Sequence, residues 1–412
     1  DSISEFIGYD QIEAQISIVK YRKVVQKGKT IFQLVFDKTP FYPEGGGQVG
    51  DSGWIQSGEN KTSIFDTKKE NNLIVHFVSE LPQTLDAQFN ASINIEKRLN
   101  TARNHSATHL LHYALRSVLG THVEQKGSLV NSKQLRFDFS HFSKVTDDQL
   151  NEIESIVIST IEKNIELNEK RNIPIAEAKT MGAMALFGEK YGESVRVIQF
   201  ENSVELCGGI HINSTTDIGL FKITSESAVA AGIRRIEAIS GESAQQYFRD
   251  RTATLESISS ILKKPKNIEK SVIDLIDKNS ELTKQIELLN KEKAALVKKE
   301  LKQKIIEING LNFLGEKVNL NTASIKDVLF QLKGEQKNFV GILANAELNK
   351  CGLSVILSEN LIEDKNLNAS KIIKEISHHI RGGGGGQAFF ATAGGKDQNG
   401  IATAIEELKA ML

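Results

Sequence analysis

Asn104-His105-Ser106-Ala107-Thr108-His109-Leu110-Leu111-His112 and Cys207-Gly208-Gly209-Ile210-His211 are the stretches on which the reading of this chain turns. Two imidazoles at i and i+4 lie on one helical face, close enough to share an ion. The second stretch sets Cys207 and His211 around two glycines, a composition that suits a tight turn delivering both side chains to one point. His105, His109, Cys207 and His211 together make three imidazoles and one thiolate, a set that favours tetrahedral Zn2+. A lone His-x-x-x-His is more often a pair of satisfied core residues than a metal half-site. The second half-site shifts the reading to metal. The spacing is not that of a zinc finger, so the ion is expected to join two distant segments of one larger domain. His112 lies one turn beyond His109 and could replace either partner on spacing alone; it is expected to point away and pack locally.

A chain of 412 residues is too long for one core and implies about two to four domains. An apolar share of 40% and a charged share of 25% are those of ordinary globular protein. The only cysteines, Cys207 and Cys351, exclude a disulfide framework and lead us to expect a reducing, cytoplasmic location. No apolar run is long enough for a membrane span and no leader pattern is present, so no membrane partner is expected. A formal net charge of -1 argues against a uniformly basic nucleic-acid surface but leaves room for local Lys and Arg clusters. The first residues, Asp1-Ser2-Ile3, lack an initiator Met, so a fragment of a longer protein is expected.

The pattern predicts an α+β protein in four parts. Residues 1–92 read as β-rich: Ile31–Phe36 and Leu73–Val78 are β-branched and aromatic, with Gly and Pro between such runs. Residues 93–240 read as a mixed α/β, metal-carrying domain. Here Ala107–Leu119 is an apolar helix after an N-cap at Asn104, Leu150–Ile165 is an amphipathic helix, and Ser194–Glu205 is strand leading into the Cys207 turn. Residues 241–309 read as a helical hairpin. Ile268, Leu275, Leu282, Leu289 and Leu296 recur in heptads, and Lys264-Pro265-Lys266 separates this stripe from an upstream one containing Phe248 and Leu255. Polar Asn279 and Lys293 at seam positions weaken the case for a long independent coil. Residues 310–412 read as a small α/β domain with a glycine-rich loop between a helix and a strand.

Two glycine clusters invite a binding role. Pro43-Glu44-Gly45-Gly46-Gly47-Gln48 permits positive φ and close approach of backbone N–H groups to a ligand, although a hairpin turn has the same composition. It lacks the Gly-Lys-Ser/Thr ending of a phosphate-binding P-loop. The run Arg381-Gly382-Gly383-Gly384-Gly385-Gly386 reads either as a flexible linker or as backbone that approaches a phosphate or sugar. Ile233-Arg234-Arg235-Ile236-Glu237 is a solvated charged strand or, beside the metal, a holder of an RNA end.

These pieces, in this order, resemble the C-terminal half of alanyl-tRNA synthetase. The resemblance rests on Phe41-Tyr42-Pro43-Glu44-Gly45-Gly46-Gly47-Gln48, the His105/His109 stretch and Cys207-Gly208-Gly209-Ile210-His211. It extends to Gly219-Leu220-Phe221-Lys222-Ile223, Gly232–Ala238 and the terminal glycine run. It implies an editing domain that hydrolyses mischarged Ser-tRNA(Ala) and Gly-tRNA(Ala), with zinc on His105, His109, Cys207 and His211. It also implies editing-site roles for Thr39 and Gln48. Contacts to tRNA(Ala) are then expected from Gly45, Gly46, Gly47, Arg234, Arg235, Arg381, Gly383 and Gly384, and homodimerisation through the helical segment. No aminoacylation module is expected within these residues. Gln387 departs from the Gly, Pro or His common in related glycine runs. Two other readings share the same parts: a free-standing editing protein that acts in trans, and a non-catalytic zinc-stabilised module for tRNA binding and dimerisation.

Overall fold

The structure, a computed structural model, describes residues 4–26, 28–185, 192–348 and 350–412. Sheets and helices mix as an α+β protein should, and the chain divides into two compact units, Asp1–Ser257 and Ile258–Leu412.

Besides a short pair at Glu5–Phe6 and Lys38–Thr39, the start of the first unit has six strands: β1 (Glu13–Gln26), β2 (Lys29–Phe36), β3 (Gly53–Ser57), β4 (Asn60–Glu70), β5 (Leu73–Val78) and β6 (Gln88–Ile93). They close into a barrel in the order β1-β2-β5-β4-β3-β6. Alternation explains it. Leu34, Phe36, Ile55, Ile64, Val78, Phe89 and Ala91 form its buried cluster, and closure leaves no unpaired sheet edge.

One barrel residue breaks the apolar pattern. His76 on β5 is fully buried, stacked on Phe36 with ring centroids 3.9 Å apart. Its Nδ1 lies 3.2 Å from the Leu34 carbonyl, which can only accept, so Nε2 accepts from the Thr39 hydroxyl at 2.8 Å. Burial pushes His76 down to about 3, against a weaker opposing pull from the Leu34 carbonyl. The unfolded chain therefore binds a proton that the folded barrel refuses between about pH 6.5 and pH 3. Stability is expected to be full above that window and to fall through it by up to roughly 1.4 kcal/mol per pH unit. Denaturant titrations across this range should show that dependence, with a shallower one in His76→Gln.

The barrel is followed by α1 (Ile95–Leu119) and a sheet built from β7 (Gln125–Val130), β8 (Leu135–Ser140) and two later strands, β12 (Phe221–Ala230) and β13 (Ile233–Ser240). Their order is β12-β13-β8-β7. Between these pairs come α2 (Asp147–Glu162) and a three-stranded sheet of β9 (Asn168–Pro174), β10 (Ser194–Phe200) and β11 (Ser203–Leu206). Leu110, Leu111, Leu115, Phe137, Phe139, Ile153 and Val157 fill the main core of this region.

The start of α1 corrects the sequence reading. Its N-cap is Asn94, whose side chain accepts from the Lys97 N–H, and Asn104 lies inside the helix. The first three turns looked non-helical because their inward face is polar. Arg98 pairs with Asp51 there, and Asn104 donates to the Asn131 carbonyl and accepts from the Ser240 hydroxyl.

Helix α3 (Gly241–Ile261) crosses the unit boundary, and α4 (Ile268–Lys302) begins after a break at which Lys263 and Lys264 both take positive φ. The heptad residues Leu275, Leu282, Leu289 and Leu296 are 46–68% exposed. Only the end of α4 is built into a core, through Ala294 and Leu301.

The rest of the second unit is a six-stranded sheet of β14 (Ile306–Ile308), β15 (Leu311–Lys317), β16 (Phe339–Glu347), β17 (Lys350–Leu357), β18 (Gly383–Gly386) and β19 (Phe390–Gly395). The order is β14-β15-β16-β17-β19-β18, with α5 (Thr322–Glu335), α6 (Ala369–Ile376) and α7 (Ile401–Ala410) packed on it.

The glycine run is therefore an edge strand and not a loop. A Cβ at Gly384 would sit 2.1 Å from the Thr392 carbonyl oxygen, and one at Gly386 would sit 2.4 Å from that of Phe390. Alternate glycines are required because β19 approaches too closely for side chains. Composition alone could not separate that need from flexibility. Among the described residues no helix is long and apolar enough to cross a membrane.

Candidate metal centre

The middle of α1 carries His105 and His109 one turn apart, and the turn after β11 carries Cys207 and His211. All four side chains are buried, and one ligand atom from each lies within 4.8 Å of all the others. Sγ of Cys207 is 3.4 Å from Nε2 of His105 and 3.4 Å from Nε2 of His211. The ring centroids of His109 and His211 are 4.6 Å apart.

Two of the three imidazoles are held by a hydrogen bond at their other nitrogen, the arrangement that ligating histidines need. Nδ1 of His105 donates to Oε1 of Gln48 at 2.7 Å, which turns Nε2 toward the cluster. Nδ1 of His211 lies 3.0 Å from the Ser106 hydroxyl. Nδ1 of His109 faces Oε2 of Glu205 at 3.3 Å, within ion-pair distance but outside hydrogen-bond geometry. Burial, followed by the charges of neighbouring imidazoles and Arg196, holds His105 and His211 well below the usual histidine range. Burial also lowers His109, although Glu205 opposes it. Burial thus favours the neutral, lone-pair-bearing form of all three.

Glu205 and Arg196 had no signature in the sequence. Burial alone would raise the Glu205 carboxyl, but His109 and His112 outweigh it and hold the group below its ordinary value. His112 donates to Oε1 of Glu205 at 2.8 Å and packs on Phe137, so it stands outside the cluster. Arg196 donates to the Cys207 carbonyl at 3.0 Å and the Gly209 carbonyl at 2.6 Å. The Tyr9 hydroxyl donates to the Gly208 carbonyl at 2.7 Å. Three successive carbonyls of the turn are thus held outward, while the Gly209 N–H donates to the Cys207 sulfur at 3.3 Å. Long polar side chains reaching a turn from other elements leave no local spacing to detect.

Gly209 is fixed by space. A Cβ there would lie 2.0 Å from Cε1 of His105. Gly209→Ala is expected to rotate that ring and weaken metal binding roughly 10- to 100-fold, as loss of an orienting contact does, with the fold retained. Competition against a chromophoric chelator measures it.

The glycine stretch before Gln48 is a two-residue hairpin. Gly46 and Gly47 take φ of 57° and 81°, and Gly45 and Gln48 exchange backbone hydrogen bonds, as in a type I′ turn. Val130 donates to the Gly47 carbonyl and Val49 donates to the Val130 carbonyl, strapping the turn to β7. Gln48 is fully buried at its end; Oε1 also accepts from the Ile210 N–H at 2.9 Å, and Nε2 has no hydrogen-bond partner among the described residues.

Gln48 is thus in direct contact with the cluster. Thr39 is not: it accepts from the Phe41 N–H and bonds His76 in the barrel. Arg234 forks onto Glu226 and Arg235 onto Asp138, both at 2.6–2.7 Å. In the second unit Arg381 takes φ 46° with its side chain 82% exposed, and Gly383 and Gly384 lie in β18.

Three families match this chain. Residues 1–99 match tRNA synthetases class II (A), residues 195–237 match the threonyl and alanyl tRNA synthetase second additional domain, and residues 310–412 match the DHHA1 domain. The alanine–tRNA ligase of Christiangramia forsetii is 53% identical over 410 residues, 99% of this chain. That of Flavobacterium psychrophilum is 50% identical over 416 residues, 98% of this chain. The chain belongs to the alanyl-tRNA synthetase family. It spans about half the length of these curated relatives, 47% of each. Among solved structures, the C-Ala domain of Aquifex aeolicus alanyl-tRNA synthetase matches at 25% identity and a TM-score of 0.25, covering 26% of this chain and 97% of that one. Within the alanyl-tRNA synthetase family match, the second additional domain spans both Cys207 and His211.

Proposed function

We propose that the first unit hydrolyses Ser-tRNA(Ala) and Gly-tRNA(Ala) at a zinc-organised editing site. The observation that carries this reading is the contact between Gln48 and His105, which ties the glycine hairpin to the four-donor cluster. The donor set suits zinc. With bonds of about 2.3 Å to sulfur and 2.0–2.1 Å to nitrogen, tetrahedral geometry sets S···N edges at roughly 3.6 Å, close to the two 3.4 Å separations found here. When bound, zinc supplies rigidity and local positive charge; four protein donors favour positioning over water activation.

The chain's own groups would then divide the work. Oε1 of Gln48 orients His105, and the unpartnered Nε2 is left as a donor for the serine hydroxyl or the ester. Alanine, which lacks the serine hydroxyl, would leave that donor unpaired at a cost relative to serine. An editing step has a physical reason, because an alanine pocket cannot strongly reject glycine, which is smaller, or serine, which adds only a hydroxyl. The Gly45–Gly47 hairpin borders a recess that Lys68, Lys69 and Ser128 also line, a surface suited to an approaching RNA end. Thr39 would act on the pocket through the barrel wall that it shares with His76. Arg234 and Arg235 would shape the neighbouring sheet, with their carboxylate partners limiting direct phosphate contact.

We assign tRNA(Ala) binding by backbone and shape to residues 310–412, through exposed Arg381 and the Gly383–Gly384 edge. Homodimerisation is assigned to the exposed heptad stripe of α4. The test is serine release from Ser-tRNA(Ala). The purified chain should release serine and glycine from their tRNA(Ala) esters while sparing Ala-tRNA(Ala). Gln48→Ala should lower that rate with the fold retained, measured at saturating zinc so that weaker orientation of His105 does not empty the site. A chain that binds tRNA(Ala) but leaves all three esters intact would instead be a non-catalytic binding module.

A further inference from the structure

We propose a second metal site in the C-terminal unit, formed by His378, His379 and Glu407 and taking a divalent transition ion such as Zn2+. One ligand atom from each of the three residues lies within 4.8 Å of the others. His378 and His379 sit in the short 3-10 turn Ser377–Ile380, and Glu407 projects from α7, which packs on that turn.

The geometry prepares nitrogen for a metal. Nδ1 of His378 lies 2.5 Å from the Glu375 carbonyl, which can only accept, so this nitrogen carries the hydrogen and Nε2 keeps its lone pair. Nε2 of His379 contacts Oε2 of Glu407, and the two imidazoles lie side by side with centroids 3.9 Å apart. Two imidazoles and one carboxylate form a donor set that leaves coordination positions open for water. His378 is exposed and the other two are half-buried, so an ion could enter from solvent, releasing the proton that His379 and Glu407 share.

The His379–Glu407 pair would form without a metal. It does not account for His378, which is outside that pair yet brings a ring nitrogen within 4.8 Å of it. An ion here would pin the 3-10 turn to α7, immediately before Arg381 and β18. This site is independent of the Cys207 cluster and contains no sulfur.

That difference supplies the test. The full chain and His378→Ala are dialysed against a modest excess of Zn2+, and bound metal is measured by elemental analysis. His378→Ala removes one donor from an exposed position and leaves the ion pair, so it should fold like the parent. The full chain should hold one more ion per chain than the variant. Parallel loading with Co2+ shows the thiolate-to-cobalt absorption of the Cys207 site alone, so failure of that first site is read separately from failure of the second. Equal metal content in the full chain and His378→Ala would overturn the proposal.

Discussion

Cys207→Ala is expected to strip the metal from the N-terminal unit and lower its unfolding free energy by more than about 4 kcal/mol. The reason lies in what the substitution leaves. His105, His109 and His211 would still be buried, and removing the thiolate would open the four-donor set proposed to bind an ion in the folded state only. If the four residues were ordinary core, a change as small as Cys to Ala would cost roughly 1 kcal/mol. Chelator separates the two accounts. It should destabilise the parent to the level of the variant and leave the variant unchanged, as read by denaturant unfolding.

A loss of similar size is expected at the other end of α1. Arg98 and Asp51 are 5% and 8% exposed and joined through Nε at 2.9–3.0 Å. The same guanidinium donates to the Gly8 carbonyl at 2.8 Å and the Pro40 carbonyl at 2.7 Å. Asp51 in turn accepts from the Tyr42 N–H at 2.7 Å, closing the base of the loop that ends in Gln48. Arg98→Met keeps most of the volume but leaves a buried carboxylate unpaired. It should cost roughly 3–5 kcal/mol, and Arg98→Met with Asp51→Asn should recover part of it. Equal losses in the single and double variants would mean that packing, not the charge pair, holds this junction.

Sequence reading reached as far as local spacing reaches. The i, i+4 histidines and the Cys-Gly-Gly-Ile-His turn stand out because each half-site is short, and the structure brings both to one place. The α+β class was legible from β-branched and aromatic runs such as Ile31–Phe36 set beside helical signals. The first turns of α1 were missed because burial there is polar, through Arg98 and Asn104. The glycine strand was read as a loop because a close backbone approach and a flexible linker use the same residue. Glu205, Arg196 and Tyr9 were invisible because each acts across a long stretch of chain on a partner that only folding brings near. Thr39 and Gln48 were paired in the sequence reading, yet their contacts diverge, to His76 and to His105. That divergence makes Gln48 the more informative of the two for mutation.

The most direct test of the metal centre is zinc-edge X-ray absorption on the zinc-loaded chain carrying His378→Ala, which leaves one site. The expected spectrum fits one sulfur neighbour at about 2.3 Å and three nitrogens at about 2.0–2.1 Å. A bound zinc with no sulfur neighbour, or a folded chain that retains no zinc, would contradict the assignment of His105, His109, Cys207 and His211 as its ligands.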